Sequence, residues 1–403
     1  MSRVTIVGAG LLGRGIAAVV ASHGHDVTLH DSSPEALRTA SEQLRSVRTD
    51  TLLEHAVRTA DYVIEAILED LPLKQQLFAR IGVANPQAIL MSNSSSLPIG
   101  RIAAHTARPE RAVGTHWWNP PQLIPIVEVI RGPRTDAAVI AEATEFLTGL
   151  GKQAVQVSRD VPGFVGNRLQ HALWREAIGQ LSRGEADAPF IDRLIAETLG
   201  RSLARRGPIA ELCQLDPEAL AALCAQTLPE LINDPDPAPA LCAAVAAGQL
   251  GAKSGQGFLA WPPGRREQAA ERLAHHVQVR LAVAAPAVPT NSNDAAATAI
   301  HTQHPLARRL QLAVWREALA LVASAVCTAE VVDQVACRTF GLRLAVMGPI
   351  ENADYVGLDL TLAIHAALLP SLSTDIDPSV LLRAASGARS SPPTGLAAGS
   401  DSP

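Results

Sequence analysis

The chain has 403 residues, 47% of them hydrophobic and 18% charged, with a formal net charge of −5. That length admits two or three domains with a substantial core, and the mildly acidic balance offers no electrostatic case for nucleic acid or an anionic membrane as partner. No apolar run approaches the ~18 residues that span a bilayer, and the N-terminus opens on a strand instead of a basic and then apolar leader, so a cytoplasmic protein is expected.

In chain order, Val4 to Val7 is a β-branched run that feeds into Gly8-Ala9-Gly10-Leu11-Leu12-Gly13, and an apolar helix follows from Ile16 to Ser22. This is strand, glycine turn and helix. Gly8 makes the tight turn, Gly10 lets a pyrophosphate approach the positive end of the helix, and Gly13 lets helix and strand pack closely. Such a glycine pattern alone is weak evidence. Its context strengthens it: a second strand, Asp26 to His30, ends in Asp31, whose carboxylate can accept from both ribose hydroxyls and would repel a 2′-phosphate. NAD is therefore the expected cofactor, in preference to NADP.

Glu35 to Arg48 reads as a polar helix, followed by a buried strand from Ala60 to Ile67 and a helix opening at Glu69-Asp70-Leu71-Pro72-Leu73-Lys74. A strand at Ala88 to Met91 ends in the polar turn Ser92 to Ser96, at the strand edge where open α/β sheets bind ligands. Val113 to Thr115 is a further strand leading to His116. The stretch Gly114 to Ile130, GTHWWNPPQLIPIVEVI, then sets a histidine, two tryptophans and an Asn-Pro-Pro corner before a short apolar strand with one carboxylate. A lone Glu in such a strand needs a reason. We read His116 as a general base and Glu128 as the acid that orients its ring. Trp117 and Trp118 could wall a pocket for the substrate, the alternative being that one of them is simply core. The five cysteines, Cys213, Cys224, Cys242, Cys327 and Cys337, lie far apart without a CxxC, so no metal site or disulfide is expected, and they read as buried small hydrophobes.

The set GAGLLG, IEAILEDLPLK, SNSSSL, HWWNPPQLIPIVEVI, VPGFVGNRLQ and GAKSGQGF resembles the 3-hydroxyacyl-CoA dehydrogenase family over roughly residues 3 to 261. The Asn-Pro-Pro corner and the NRLQ helix start are similar to its branch containing L-gulonate 3-dehydrogenase and lambda-crystallin. The resemblance implies a catalytic His116 with Glu128, Ser95 and Asn167 on the reacting oxygen, and fatty acid metabolism as the setting. It also implies dinucleotide contacts from Gly8, Gly10, Leu11, Leu12, Gly13, Asp31, Glu69, Lys74, Ser95, Asn119 and Lys253. The chemistry agrees: a secondary alcohol needs a base for its proton and an acceptor for its hydride. A non-catalytic NAD-binding descendant is the competing reading. It gives no reason for a base, its acid and two oxygen donors to be present together.

From Asn167 onward the pattern is helical and repeats. NRLQHALWRE (Asn167 to Glu176) matches RRLQLAVWRE (Arg308 to Glu317), and the 141-residue offset from Trp174 to Trp315 also joins Asp192 to Asp333, Gly200 to Gly341 and Pro208 to Pro349. The first copy has Asn167 where the second has Arg308, so the second is expected to lack an active site. The expected organisation is a Rossmann-type α/β NAD-binding domain over 1–160 and an all-α domain over 161–261. A helix and linker over 262–305, a second helical repeat over 306–383 and a disordered tail over 384–403 complete it. Pairing of the repeats within one chain predicts a monomer, with a homodimer as the alternative. Between Asp31 and Asp61 there is no counterpart of the family's helical hairpin that contacts coenzyme A, and Arg45 to Thr51 leads directly into the next strand. A small hydroxy acid therefore competes with a 3-hydroxyacyl thioester as the small-molecule substrate.

Overall fold

The computed structural model describes residues 1–200, 239–283, 304–344 and 349–372, and residues 233, 236, 346 and 374 singly. The expected linker before Pro305, the tail over 384–403, the first-copy segment around Pro208, and Cys213 and Cys224 lie outside the described residues.

Eight strands form one sheet in the order β3-β2-β1-β4-β5-β6-β7-β8. They are β1 (Arg3–Val7), β2 (Asp26–His30), β3 (Arg48–Asp50), β4 (Tyr62–Glu65), β5 (Ile89–Ser92), β6 (Ala112–Trp117), β7 (Ile126–Ile130) and β8 (Gln153–Val157). All neighbours pair parallel except β6 with β7. The inner strands are buried on both faces, which is why β4, β5, β6 and β7 read as nearly continuous apolar runs. The chain order reverses between β1 and β4, so the glycine turn after β1 opens at the switch point, where such sheets bind ligands.

Helices α1 (Leu11–Ser22), α2 (Pro34–Gln43), α3 (Leu53–Val57), α4 (Leu71–Ala84), α5 (Ile99–Ile102) and α6 (Ala137–Gly149) accompany the sheet. Two readings of the sequence are corrected here. The helix expected to reach Arg48 ends at Gln43, because Arg48–Asp50 pairs with β2 as a parallel edge strand, and α3 then precedes β4. The strand expected to stop at Thr115 runs through Trp117, so His116 lies within β6.

Among the described residues the helical part contains α7 (Gly166–Ser182), α8 (Ala188–Glu197), α9 (Pro239–Ala246), α10 (Arg265–Val283), α11 (Pro305–Ala323), α12 (Ala329–Arg338), α13 (Phe340–Leu344), α14 (Pro349–Val356) and α15 (Leu358–Leu368). One apolar core continues from the sheet face (Val63, Phe78, Ile126) through Phe164 and Leu169 to Leu310, Val314 and Val335. The other sheet face packs its own core, including Ile16, Leu29 and Trp117, against α1 and α6. Helix α7 lies along α11, and two ion pairs join them: the buried Arg168 with Glu317 at 2.6 Å, and the half-buried Arg309 with the buried Glu176 at 3.0 Å. Among the described residues no helix is long and apolar enough to cross a membrane.

Candidate active site

Glycines build the first wall. Gly8 holds φ +111, and a Cβ there would lie 2.5 Å from Ala66 O; one on Gly13 would lie 1.8 Å from Gly8 O, whereas Gly10 faces open space. Only glycine fits the first two positions, and the third leaves room for a ligand to touch the backbone. Gly10 caps α1 without a side-chain acceptor, so the N–H groups of the first turn remain for an anion. Beside this turn a cavity of about 200 Å³ is lined by Gly8, His30, Asp31, Ser32, Ile67 and Arg80, among others. Asp31 is fixed there by the N–H groups of Ala9 and Ser33, both at 2.8 Å. The open glycine, the uncapped helix end and the anchored carboxylate fit a dinucleotide with a free 2′-hydroxyl.

The second wall is the serine turn after β5. Glu69 Oε1 accepts from Ser94 Oγ at 2.6 Å and from the N–H groups of Ser95 at 3.0 Å and Ser96 at 2.8 Å. Burial pushes the Glu69 carboxyl up, but the Lys74 ammonium and the serine donors outweigh it and leave it below its ordinary value. Lys74 is wholly buried, with Nζ 2.5 Å from Glu65 and 3.2 Å from Glu69. Lys74, expected at the dinucleotide, thus has its ammonium on two carboxylates. The lysine lies beneath the turn and braces Glu69, and Glu69 spends its acceptor on the turn. Glu65, which the sequence reading passed over, also accepts from Ser92 Oγ at 2.7 Å. A lone carboxylate in the buried strand β4 was the available signal, the same one that drew notice to Glu128.

His116 and Glu128 face each other in register across β6 and β7, with Nδ1 and Oε2 2.7 Å apart. Both are buried, His116 at 3% and Glu128 at 0% exposure. Glu128 Oε2 also accepts from Trp118 Nε1 at 3.3 Å, and Oε1 accepts the N–H groups of Val165 and Gly166 at 3.0 and 3.2 Å. The carboxylate therefore sits at the positive end of α7. The turn before α7 is the hub of the site. Phe164, at φ +52, brings its ring centre 5.8 Å from that of His116, and Gly163 N–H donates to Ser96 O at 3.3 Å. Asn167 Nδ2 donates to Ser95 O at 2.8 Å.

The turn before α7 thus brings two hydrogen-bonded pairs side by side: Gly166 N–H meets Glu128, the partner of His116, and the next residue, Asn167, meets Ser95. Asn119 stands exposed at the end of β6, joined to Pro120 by a cis peptide. Lys253, expected at the dinucleotide, pairs with Asp359 on α15 at 2.8 and 2.9 Å. Trp117 and Trp118 are both core, at 2% and 5% exposure on opposite sheet faces, although Trp118 also touches Glu128 and the His116 ring. Of the described cysteines Cys327 is buried and none is disulfide-bonded, but Cys242 is exposed, contrary to expectation. The described residues contain no cluster of metal-ligating side chains.

The NAD binding domain model of 3-hydroxyacyl-CoA dehydrogenase matches residues 3–48 and 39–161, and the C-terminal domain model of the same family matches 163–261 and again 306–387. The chain belongs to the 3-hydroxyacyl-CoA dehydrogenase family. It is an NAD-dependent oxidoreductase acting on CH–OH. Among relatives, 5-formyl-3-hydroxy-2-methylpyridine 4-carboxylate 5-dehydrogenase of Mesorhizobium japonicum is 33% identical over 69% of this chain and 96% of its own. L-Carnitine dehydrogenase of Streptomyces coelicolor is 39% identical over 51% of this chain and 71% of its own. 3-Hydroxybutyryl-CoA dehydrogenase of Mycobacterium tuberculosis is 37% identical over 64% and 98%. The crystal structure of the pyridine carboxylate dehydrogenase superposes with a TM-score of 0.65 at 31% identity, covering 70% of this chain and 97% of that one. 3-Hydroxybutyryl-CoA dehydrogenase from Escherichia coli shares the fold over 96% of this chain and 98% of its own, with a TM-score of 0.65 at 24% identity.

Proposed function

We propose that this dehydrogenase oxidises the secondary hydroxyl of a 3-hydroxyacyl thioester, or reduces the corresponding ketone, with His116 as the proton-transferring base. The observation that carries the reading is the buried 2.7 Å contact between His116 Nδ1 and Glu128 Oε2. Glu128 holds the proton on Nδ1, leaving Nε2 as the basic position, and stabilises the imidazolium formed when the hydroxyl proton is taken. Ser95 and Asn167 hold the reacting oxygen and favour a transition state with alkoxide character. Gly8, Gly10, Leu11, Leu12, Gly13, Asp31 and Asn119 bind the dinucleotide. Bound NAD supplies the hydride acceptor. A cytoplasmic setting and a place in acyl-chain metabolism belong to the same reading.

A panel of 3-hydroxyacyl thioesters and free hydroxy acids, followed at the NADH absorbance band, tests it. Wild type turns over at least one of them, and His116→Ala loses roughly 100-fold or more in kcat. Turnover unaffected by that substitution sinks the base assignment, and NAD binding without any turnover favours a non-catalytic binder.

A second reading, a small hydroxy acid without a CoA carrier, is favoured by the connection between β2 and β4. It contains only α2, the three-residue β3 and the five-residue α3, and no helical hairpin to receive a CoA moiety. Turnover of free acids but not thioesters in the same panel selects this reading.

The two helical units, 161–261 and 306–383, we read as tandem copies. The offset of 141 that relates the sequences also relates Arg168 to Arg309 and Glu176 to Glu317, so the two ion pairs are reciprocal about a pseudo-twofold axis. Equivalent turns carry positive φ at Gly184 (+66) and Ala325 (+54). A monomer by light scattering is expected, and a dimer buried through α7 would contradict it.

A further inference from the structure

The stretch from Pro120 to Pro125 has more acceptors than donors. Pro120, Pro121 and Pro125 bring carbonyls without N–H groups, and the N–H groups of Leu123 and Ile124 both fall on Pro120 O, at 3.1 and 3.0 Å. The carbonyls of Pro121 and Ile124 must be satisfied from outside the segment. Lys152, just before β8, does this: its ammonium donates to Pro121 O and, at 2.9 Å, to Ile124 O. Gln153 N–H takes Pro125 O at 2.7 Å. The lysine is 8% exposed, and Nζ lies 5.6 Å from the centre of the Trp117 ring. Burial pushes its pKa down to about 8. A buried cation spent on two loop carbonyls is an expensive choice for packing alone, because an apolar side chain would fill the same space without desolvating a charge.

The segment also rests on the helix of the glycine turn. A Cβ on Gly15 would lie 2.5 Å from Pro121 Cγ and 3.1 Å from Gln122 Nε2, so α1 and the segment touch without a gap. Asn119 is the residue that leads into this segment from β6.

We propose that Lys152 is a positioning residue for hydride transfer: by holding Pro121 and Ile124 it fixes the segment against α1 and so sets Asn119 against the dinucleotide. This rests on the reading of Asn119 as a dinucleotide contact. Lys152→Met keeps the stem over Trp117 but removes the donors, while Lys152→Arg keeps charge and donors.

NADH binding by fluorescence titration and kcat and KM on the best substrate of the panel are measured for both variants and for Asn119→Ala, with thermal melts to confirm folding. Lys152→Met and Asn119→Ala each weaken NADH binding and lower kcat by roughly tenfold or more, KM for the hydroxy substrate changes far less, and Lys152→Arg recovers most of both losses. Should Lys152→Met fail to fold, Gly15→Ala displaces Pro121 from the α1 surface with the same expected loss. Wild-type NADH affinity and kcat in the folded Lys152→Met or Gly15→Ala protein, beside an impaired Asn119→Ala, overturn the proposal. Wild-type NADH affinity in Asn119→Ala overturns the reading of Asn119 instead, and with it the route proposed for Lys152.

Discussion

Glu128 accepts the main-chain N–H of Gly166 at 3.2 Å, a residue 38 positions further on, while its other oxygen meets His116. Every partner of this carboxylate is a donor: the His116 ring, the Trp118 indole and two helix N–H groups. Glutamine has one acceptor oxygen and one donating amide, so Glu128→Gln must turn the amide toward donors on one side. We expect kcat to fall roughly 100-fold or more in Glu128→Gln with little change in KM, measured by NADH absorbance. Equal activity of Gln and Glu here would show that the acid does not set the imidazole tautomer.

The proposed role of Asp31 in choosing the dinucleotide rests on similar geometry. Its carboxylate is fixed at the cavity by Ala9 and Ser33, and its charge opposes a 2′-phosphate. Asp31→Ser is expected to shift the ratio of kcat/KM from NAD toward NADP by roughly tenfold or more. An unchanged ratio, measured with both cofactors in parallel, would place the ribose elsewhere.

Acid stability should depend on two buried histidines. Burial pushes His171 down to about 4, partly opposed by its hydrogen bond to Asn167 O, and burial with the nearby His171 and Arg175 holds His365 well below its ordinary value. Between about pH 6.5 and 4 the unfolded chain binds protons at these sites that the folded chain refuses, so stability falls as pH drops through that window. Urea melts at pH 7 and pH 5 measure the loss, and His171→Phe is expected to reduce the difference. A variant with the same pH dependence as wild type would rule His171 out as a source.

The ion pairs between α7 and α11 hold the two helical units together. Removing one partner of a buried pair takes away compensation for the charge left behind, and Glu317→Ala is expected to cost about 3 kcal/mol in chemical denaturation, with Glu176→Ala costing less because Arg309 also pairs with Glu185 at 3.0 Å. Loss of less than about 0.5 kcal/mol in both, a surface-like value, would mean the units are held by apolar packing alone.

What the sequence determined by itself was local in origin. The turn of Gly8, Gly10 and Gly13, with Asp31 one strand away, is readable because backbone sterics dictate glycine there and chain spacing fixes the acid. His116 and Glu128 are readable because a carboxylate in a buried strand needs a partner, and a short antiparallel return brings the two opposite. The likeness of NRLQHALWRE in α7 to RRLQLAVWRE in α11, on which the proposed repeat rests, is visible in matched letters. Tertiary structure alone decided the rest. That Lys74 lies beneath the serine turn, that Lys253 meets Asp359, that Arg48 to Asp50 forms an edge strand, and that Lys152 holds the proline segment all depend on partners brought together from distant positions or on a strand supplied by another element. The sequence states that a buried charge must be paired, since desolvation costs too much otherwise. Which partner it finds is fixed only when strands and helices have taken their places around one core.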